Sequence, residues 1–207
     1  MRRWVARCGV AAFIAIATAA YAQERPGAGR IEITGFPTGG MFFTSAANER
    51  EPYFGTYAVG GSFTYNLNRS IGFEGEIGNA VGVNQDLTFG DQVLNNQRSP
   101  SMYTYTGNVV FNPIGNDRGL VPYTTAGVGG ITLIDNSETA AIGVTANTTY
   151  FAGNAGGGLK WYFHRYLGVR GDYRLIMVSD KSTAPEFFGQ REVRYGHRVY
   201  GGLLFTY

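Results

Sequence analysis

The segment Glu192 to Tyr207 carries two interleaved sequences. Val193, Tyr195, His197, Val199, Gly201, Leu203, Phe205 and Tyr207 alternate with Arg194, Gly196, Arg198, Tyr200, Gly202, Leu204 and Thr206. Successive strand side chains point to opposite faces, so one face is apolar and the other polar, charged and rich in glycine. The run is too long for an ordinary half-buried strand, and it closes on an aromatic residue. These features predict a membrane-spanning β-barrel strand whose apolar face meets lipid.

The beginning of the chain reads as an export signal. Arg2, Arg3 and Arg7 precede the apolar run Cys8 to Ala20, and Ala20-Tyr21-Ala22 fits the small-x-small cleavage pattern. The expected organisation is therefore a cleaved signal peptide over residues 1–22, with Ala20 and Ala22 at the cleavage site, and one barrel domain over 23–207. The apolar run has 13 residues, too few to span as a helix, and no later stretch reaches the ~18 needed. Any crossing must be made by strands. Removing the signal takes three of the 17 basic residues, leaving 14 against 15 acidic ones. The basic balance of the whole chain thus comes from the signal, and no nucleic-acid partner is implied. The only cysteine, Cys8, lies in that signal, so no disulfide is expected in the exported protein.

Eight alternating segments follow, separated by turn chemistry. The first, Arg30 to Thr44, is irregular, and Pro37 with Gly39-Gly40 predicts a bulge or bend. The others are Pro52 to Leu67, Ile71 to Gln85, Ser101 to Asn112, Val121 to Ile134, Thr148 to Phe163, Leu167 to Val178 and Glu192 to Tyr207. The faces of the fifth, with Gly127, Gly129 and Gly130, are not assignable from alternation. Short connections, such as Asn66 to Ser70 and His164 to Tyr166, alternate with longer polar ones at Asp86 to Pro100, Asp135 to Asn147 and Ser179 to Arg191. Short periplasmic turns and long external loops follow the outer-membrane rule. The expected fold is all-β: an eight-stranded, antiparallel, transmembrane, up-and-down β-barrel. A sheet in lipid must close to leave no unpaired edge, and eight strands enclose an interior that side chains fill.

The inward face carries Glu74, Glu76, Lys160, Arg170, Asp172, Arg174, Arg194 and Arg198. Unpaired charges removed from water cost several kcal/mol each, so these groups are expected to form an ion-pair lattice plugging the lumen. The third and seventh segments lie opposite in an eight-strand ring, so Glu74 and Glu76 should meet Lys160, Arg170 and Asp172 across it. Two aromatic girdles are expected: Tyr65, Phe73, Phe111, Trp161, Phe163, Tyr166, Phe205 and Tyr207 at the periplasmic end, and Tyr57, Tyr103, Phe151 and Tyr195 at the outer end.

Gly107 to Asn112 followed by Val121 to Gly129 resembles the fourth and fifth strands of the small outer-membrane β-barrel proteins related to outer membrane proteins A and X. Many members of that family carry only the description outer membrane β-barrel or porin family protein. The ending Leu203, Phe205 and Tyr207 is similar to the signal that the barrel-assembly machinery reads in this family. The resemblance implies residence in the outer membrane; the expected molecule is a monomer contacting outer-membrane lipid and lipopolysaccharide. Family roles range over anchoring, adhesion, host-factor binding and narrow conductance.

No catalytic, metal or cofactor site is expected. Gly153 to Lys160 lacks the Gly-Lys-Ser/Thr core of a phosphate loop. Glu74 and Glu76 could form an acid–base pair, but neighbouring Lys and Arg would hold both ionised. His164 and His197 have no partners at metal-ligand spacing. His197 is near the rim where some small barrels modify lipid A, but Arg198 and Val199 follow it rather than a serine. Phe187-Phe188 suits either an exposed binding patch or a segment folded onto the rim. Two non-enzymatic alternatives are a narrow porin and a soluble, lipocalin-like barrel. The latter would put the charged face in water and the apolar face inward.

Overall fold

The structure is a computed structural model that describes residues 27–44, 52–89, 92–134, 147–182, 188 and 192–207. The expected signal peptide, the loop around 135–146, Phe187 and most of the last loop lie outside the described residues. The described residues form ten strands: β1 (Ile31–Phe43), β2 (Phe54–Asn66), β3 (Ile71–Gly82), β4 (Asn84–Phe89), β5 (Gln92–Arg98), β6 (Ser101–Phe111), β7 (Leu120–Ile134), β8 (Thr148–His164), β9 (Leu167–Val178) and β10 (Arg194–Thr206). All but β4 and β5 form one closed antiparallel barrel in the order β1-β10-β9-β8-β7-β6-β3-β2. Each barrel strand pairs with its neighbours along the chain, and β1 closes the ring on β10 from Glu32↔Thr206 to Phe43↔Gly196. The Ile31 and Tyr207 backbones exchange hydrogen bonds of 3.1 and 2.8 Å at the foot of that seam.

Local chemistry explains the irregular points. Pro37 has no N–H for a ladder, and the β1 register slips between Gly35 and Thr38 against β10 and between Phe36 and Gly40 against β2. The freed Pro37 carbonyl accepts a 2.6 Å bond from the Tyr57 hydroxyl. In the β2–β3 turn, Asn68 Oδ1 accepts from the backbone N–H of Ser70 and Ile71, both at 2.8 Å. Gly115 supplies the positive φ, 79°, that the β6–β7 turn requires.

One expectation is corrected. The third segment ends at Gly82 rather than Gln85, and the supposed loop from Asp86 to Pro100 contains an antiparallel ribbon, β4 with β5, paired from Asn84↔Arg98 to Phe89↔Gln92. Hydropathic alternation in this ribbon is confined to Asp86-Leu87-Thr88-Phe89, too short a run to stand out among the polar residues around it. Gln85 anchors it to the barrel: its side chain accepts from Gly55 N at 3.0 Å and donates to Gly55 O at 2.8 Å.

Burial alternates along the barrel strands in the expected sense. Ile77 is 71% and Phe205 49% exposed, whereas Glu74 is 2% and Arg174 0% exposed. Ile33, Phe63, Phe73, Val109, Leu159 and Leu203 also point outward. An apolar surface covering the whole circumference is ruinous in water and natural in hydrocarbon. It disposes of the soluble alternative, which needed the opposite facing.

Candidate functional site

The lumen is packed in three levels along the barrel axis. Val121, Tyr162 and Leu204 form a small apolar floor at the periplasmic end. Above it lies a belt of charge. The outer third is filled by apolar side chains, including Phe43, Phe54, Met102, Leu133, Tyr150 and Ile176.

The belt is built on β1, β3, β8, β9 and β10, whose inward positions recur every second residue. Arg170 and Arg174 on β9 reach across to β3. Arg170 Nη1 lies 2.5 Å from Glu74 Oε2, and Arg174 Nη2 lies 2.7 Å from Glu74 Oε1 and 3.1 Å from Glu76 Oε2. Asp172, between them in sequence, accepts from Arg170 Nη2 at 3.0 Å and Arg174 Nε at 2.9 Å. Arg198 pairs with Glu76 and lies 3.4 Å from Asp172. The expected cross-lumen meeting of β3 with β9 is therefore present.

Neutral groups complete the wiring. The Tyr123 hydroxyl donates to Asp172 at 2.5 Å while accepting from Arg170 Nε at 2.7 Å. Asn108 donates to Glu74 at 3.2 Å, and Asn154 donates to Asn108 at 2.9 Å. Gly158 keeps the path open for Tyr123: a Cβ there would stand 2.7 Å from its hydroxyl and 1.9 Å from the Gly171 carbonyl.

Two placements differ from expectation. Lys160 does not join Glu74 and Glu76; it binds Glu32 on β1 at 2.6 Å, and Asn66 donates to the same carboxylate at 2.9 Å. Arg194 lies in the outer third rather than the belt. Its guanidinium is 5.1 to 5.8 Å from the rings of Phe188, Phe54 and Phe43, and it donates to the Pro52 carbonyl. Distance along β10 explains this, because Arg194 pairs with Val178 while Arg198 pairs with Arg174.

The belt thus comprises Glu32, Glu74, Glu76 and Asp172 against Lys160, Arg170, Arg174 and Arg198, four charges of each sign and all buried. Equal numbers matter: an unmatched ion here would cost several kcal/mol, whereas each of these has an opposite partner within 3.4 Å or less. Sequence reasoning missed Glu32 and Tyr123. The alternation Ile31-Glu32-Ile33-Thr34 carried the signal for the first, although the bulge farther along β1 obscures it. Tyr123 lies on β7, whose faces had no clear contrast.

At the outer mouth, Phe188 is fully buried. It packs edge-on against Phe43 at 4.8 Å and Tyr150 at 5.2 Å, and its carbonyl accepts from the Tyr150 hydroxyl at 2.8 Å. Of the two sequence readings for this segment, folding back onto the rim holds for Phe188. Leu87 from the β4–β5 ribbon is buried in the same cluster. The histidines stand apart. His197 faces outward, 2.7 Å from the Tyr173 hydroxyl, and His164 Nδ1 accepts from Tyr166 N at 3.3 Å in a periplasmic turn. Gly153 to Lys160 lies within β8, an extended strand with no loop to cradle a phosphate. Among the described residues, no group of three His, Cys, Asp or Glu is arranged to hold a metal ion.

A lipid-facing exterior around a filled, charge-matched interior defines a small outer-membrane barrel. The sequence profile of the outer membrane protein beta-barrel domain matches residues 8–195, and the chain belongs to that family. Its fold is similar to that of Neisserial surface protein A, with a TM-score of 0.57 and 10% identity over 87% of this chain and 99% of that one. It is also similar to the N-terminal β-barrel domain of Pseudomonas aeruginosa OprF, with a TM-score of 0.51 and 15% identity over 88% of this chain and 100% of that one. At such identities the likeness concerns fold alone. No curated protein sequence matches the chain. Family membership makes this an outer-membrane protein.

Proposed function

We propose that the chain is a non-enzymatic structural barrel with a closed lumen, whose work is done on its outer surface and external loops. The carrying observation is the belt of four acids and four bases, together with the aromatic packing above it. A conducting pore needs water at its narrowest point, and here paired side chains occupy that space. Export through the signal at residues 1–22, cleaved after Ala22, and delivery by the assembly machinery through Leu203, Phe205 and Tyr207 belong to this reading. So does a monomer embedded in outer-membrane lipid and lipopolysaccharide. The external ligand is the business of the β4–β5 ribbon and the loops over 135–147 and 179–191.

Planar-bilayer recording tests the proposal. The purified protein is expected to give no discrete current steps at moderate voltage. Regular steps of uniform size would overturn closure and favour a narrow porin. His197→Ala is expected to leave lipid A unmodified and unaltered relative to wild type; a change in lipid A chemistry that depends on His197 would instead mark a rim enzyme.

A further inference from the structure

The barrel is charged in opposite senses at its two ends. Each short turn carries an arginine: Arg69 between β2 and β3, Arg118 between β6 and β7, and Arg165 between β8 and β9. Arg30 stands at the foot of β1. All four are exposed. The only exposed carboxylate side chain among the described residues of this end is Asp117, 3.2 Å from Arg69, whose own side chain is 73% exposed; Glu32 is buried in the lumen against Lys160. The four outer connections, 44–53, 83–100, 135–147 and 179–193, contain nine acidic and four basic residues. The cationic character therefore belongs to one end and not to the polar surface in general.

Depth identifies the partner. Every one of these arginines lies one or two residues from an outward apolar side chain: Ile31, Leu67 and Ile71, Leu120, or Tyr166 and Leu167. The Arg165 guanidinium rests 4.4 Å above the Tyr166 ring. Trp161 and Phe163, packed at 6.1 Å, continue the aromatic girdle immediately above it. A cation fixed beside an interfacial ring sits at headgroup depth, not out in the periplasm. We infer that the arginine-bearing turns form a binding rim for anionic phospholipid headgroups of the periplasmic leaflet. Arg30, Arg69, Arg118 and Arg165 meet the phosphates while the girdle meets the acyl chains. The inference rests on the membrane-spanning reading.

Trp161 reports on this rim directly. It is one of two tryptophans, and Leu120 on β7 pairs with it, so the turns bearing Arg118 and Arg165 flank it. The protein carrying Trp4→Phe is folded into phosphatidylcholine vesicles containing phosphatidylglycerol, with brominated acyl chains on one lipid or the other. Brominated phosphatidylglycerol is expected to quench Trp161 with about fivefold higher apparent affinity than brominated phosphatidylcholine. R118Q/R165Q should bring the ratio close to one, while R118K/R165K retains most of it, each variant keeping the heat-modifiable mobility of a folded barrel. Equal quenching in the parent protein, or an undiminished ratio in a folded R118Q/R165Q, would overturn the inference. Quenching by neither lipid would remove the membrane-spanning reading, and the binding rim with it.

Discussion

Midway up the lumen, Arg170 and Arg174 span the barrel to Glu74 and Glu76, and Asp172 and Tyr123 tie the pairs together. A few rungs higher, Phe43 stacks on Phe54 and Phe188 packs edge-on against Phe43 and Tyr150, with Phe36 on Tyr200 below them. Both regions fill the same narrow tube, but by different physics. The belt consists of specific, directional pairs, each costly to leave incomplete. The mouth is non-directional packing, tolerant of changes that conserve volume. A closed lumen does not need charges, since well-packed apolar side chains of similar volume would also fill it.

The two regions should respond differently to substitution. The largest effect is expected for Arg174→Met, which leaves Glu74, Glu76 and Asp172 facing one another without their shared cation. Urea unfolding from vesicles should show a loss of about 3–5 kcal/mol. By contrast, replacing Glu32 and Lys160 together with Gln and Met should cost less than either change alone; additive losses would mean that the pair is not a unit.

Phe188→Ala should cost about 3 kcal/mol through the cavity it leaves, with the same loss at low and high salt. A salt-dependent loss would show that Phe188 acts through the Arg194 guanidinium above it rather than by filling space. Tyr123→Phe keeps the ring and removes the hydroxyl that bridges Asp172 and Arg170, so about 1–2 kcal/mol is expected. Smallest of all, Tyr173→Phe removes the outward bond to His197 and should cost under about 0.5 kcal/mol. A loss as large as that of Tyr123→Phe would mean that the outer face is built as a core.

Legibility in the sequence followed contrast between the two faces. The seventh segment, Leu167 to Val178, coincides with β9, because Arg170, Asp172 and Arg174 alternate with Val169, Tyr173 and Leu175. From that alternation the cross-lumen meeting with Glu74 and Glu76 follows geometrically. Contrast vanishes in the outer third, where Ile131, Leu133, Tyr150, Ile176 and Val178 face inward while apolar residues also face lipid. An apolar filling of the mouth was therefore invisible. The β4–β5 ribbon hid for a different reason: Leu87 and Phe89 are its only alternating apolar pair in β4, set among polar residues. Arg194 shares its parity with Arg198, and parity assigns a face but not a height. The bulge farther along β1 obscures the inward parity of Glu32, and without Glu32 the sequence offers Lys160 only Glu74 and Glu76 as partners across the lumen.

Spin labels walked along β10, from position 198 to 206, test the central claim most directly. Labels at Val199, Leu203 and Phe205 should collide with oxygen dissolved in lipid and not with a water-soluble nickel reagent. Labels at Arg198, Gly202 and Leu204 should be shielded from both, giving a strict two-residue period. Nickel access at Leu203 or Phe205, or at the inward positions, would contradict a lipid-facing barrel with a closed interior.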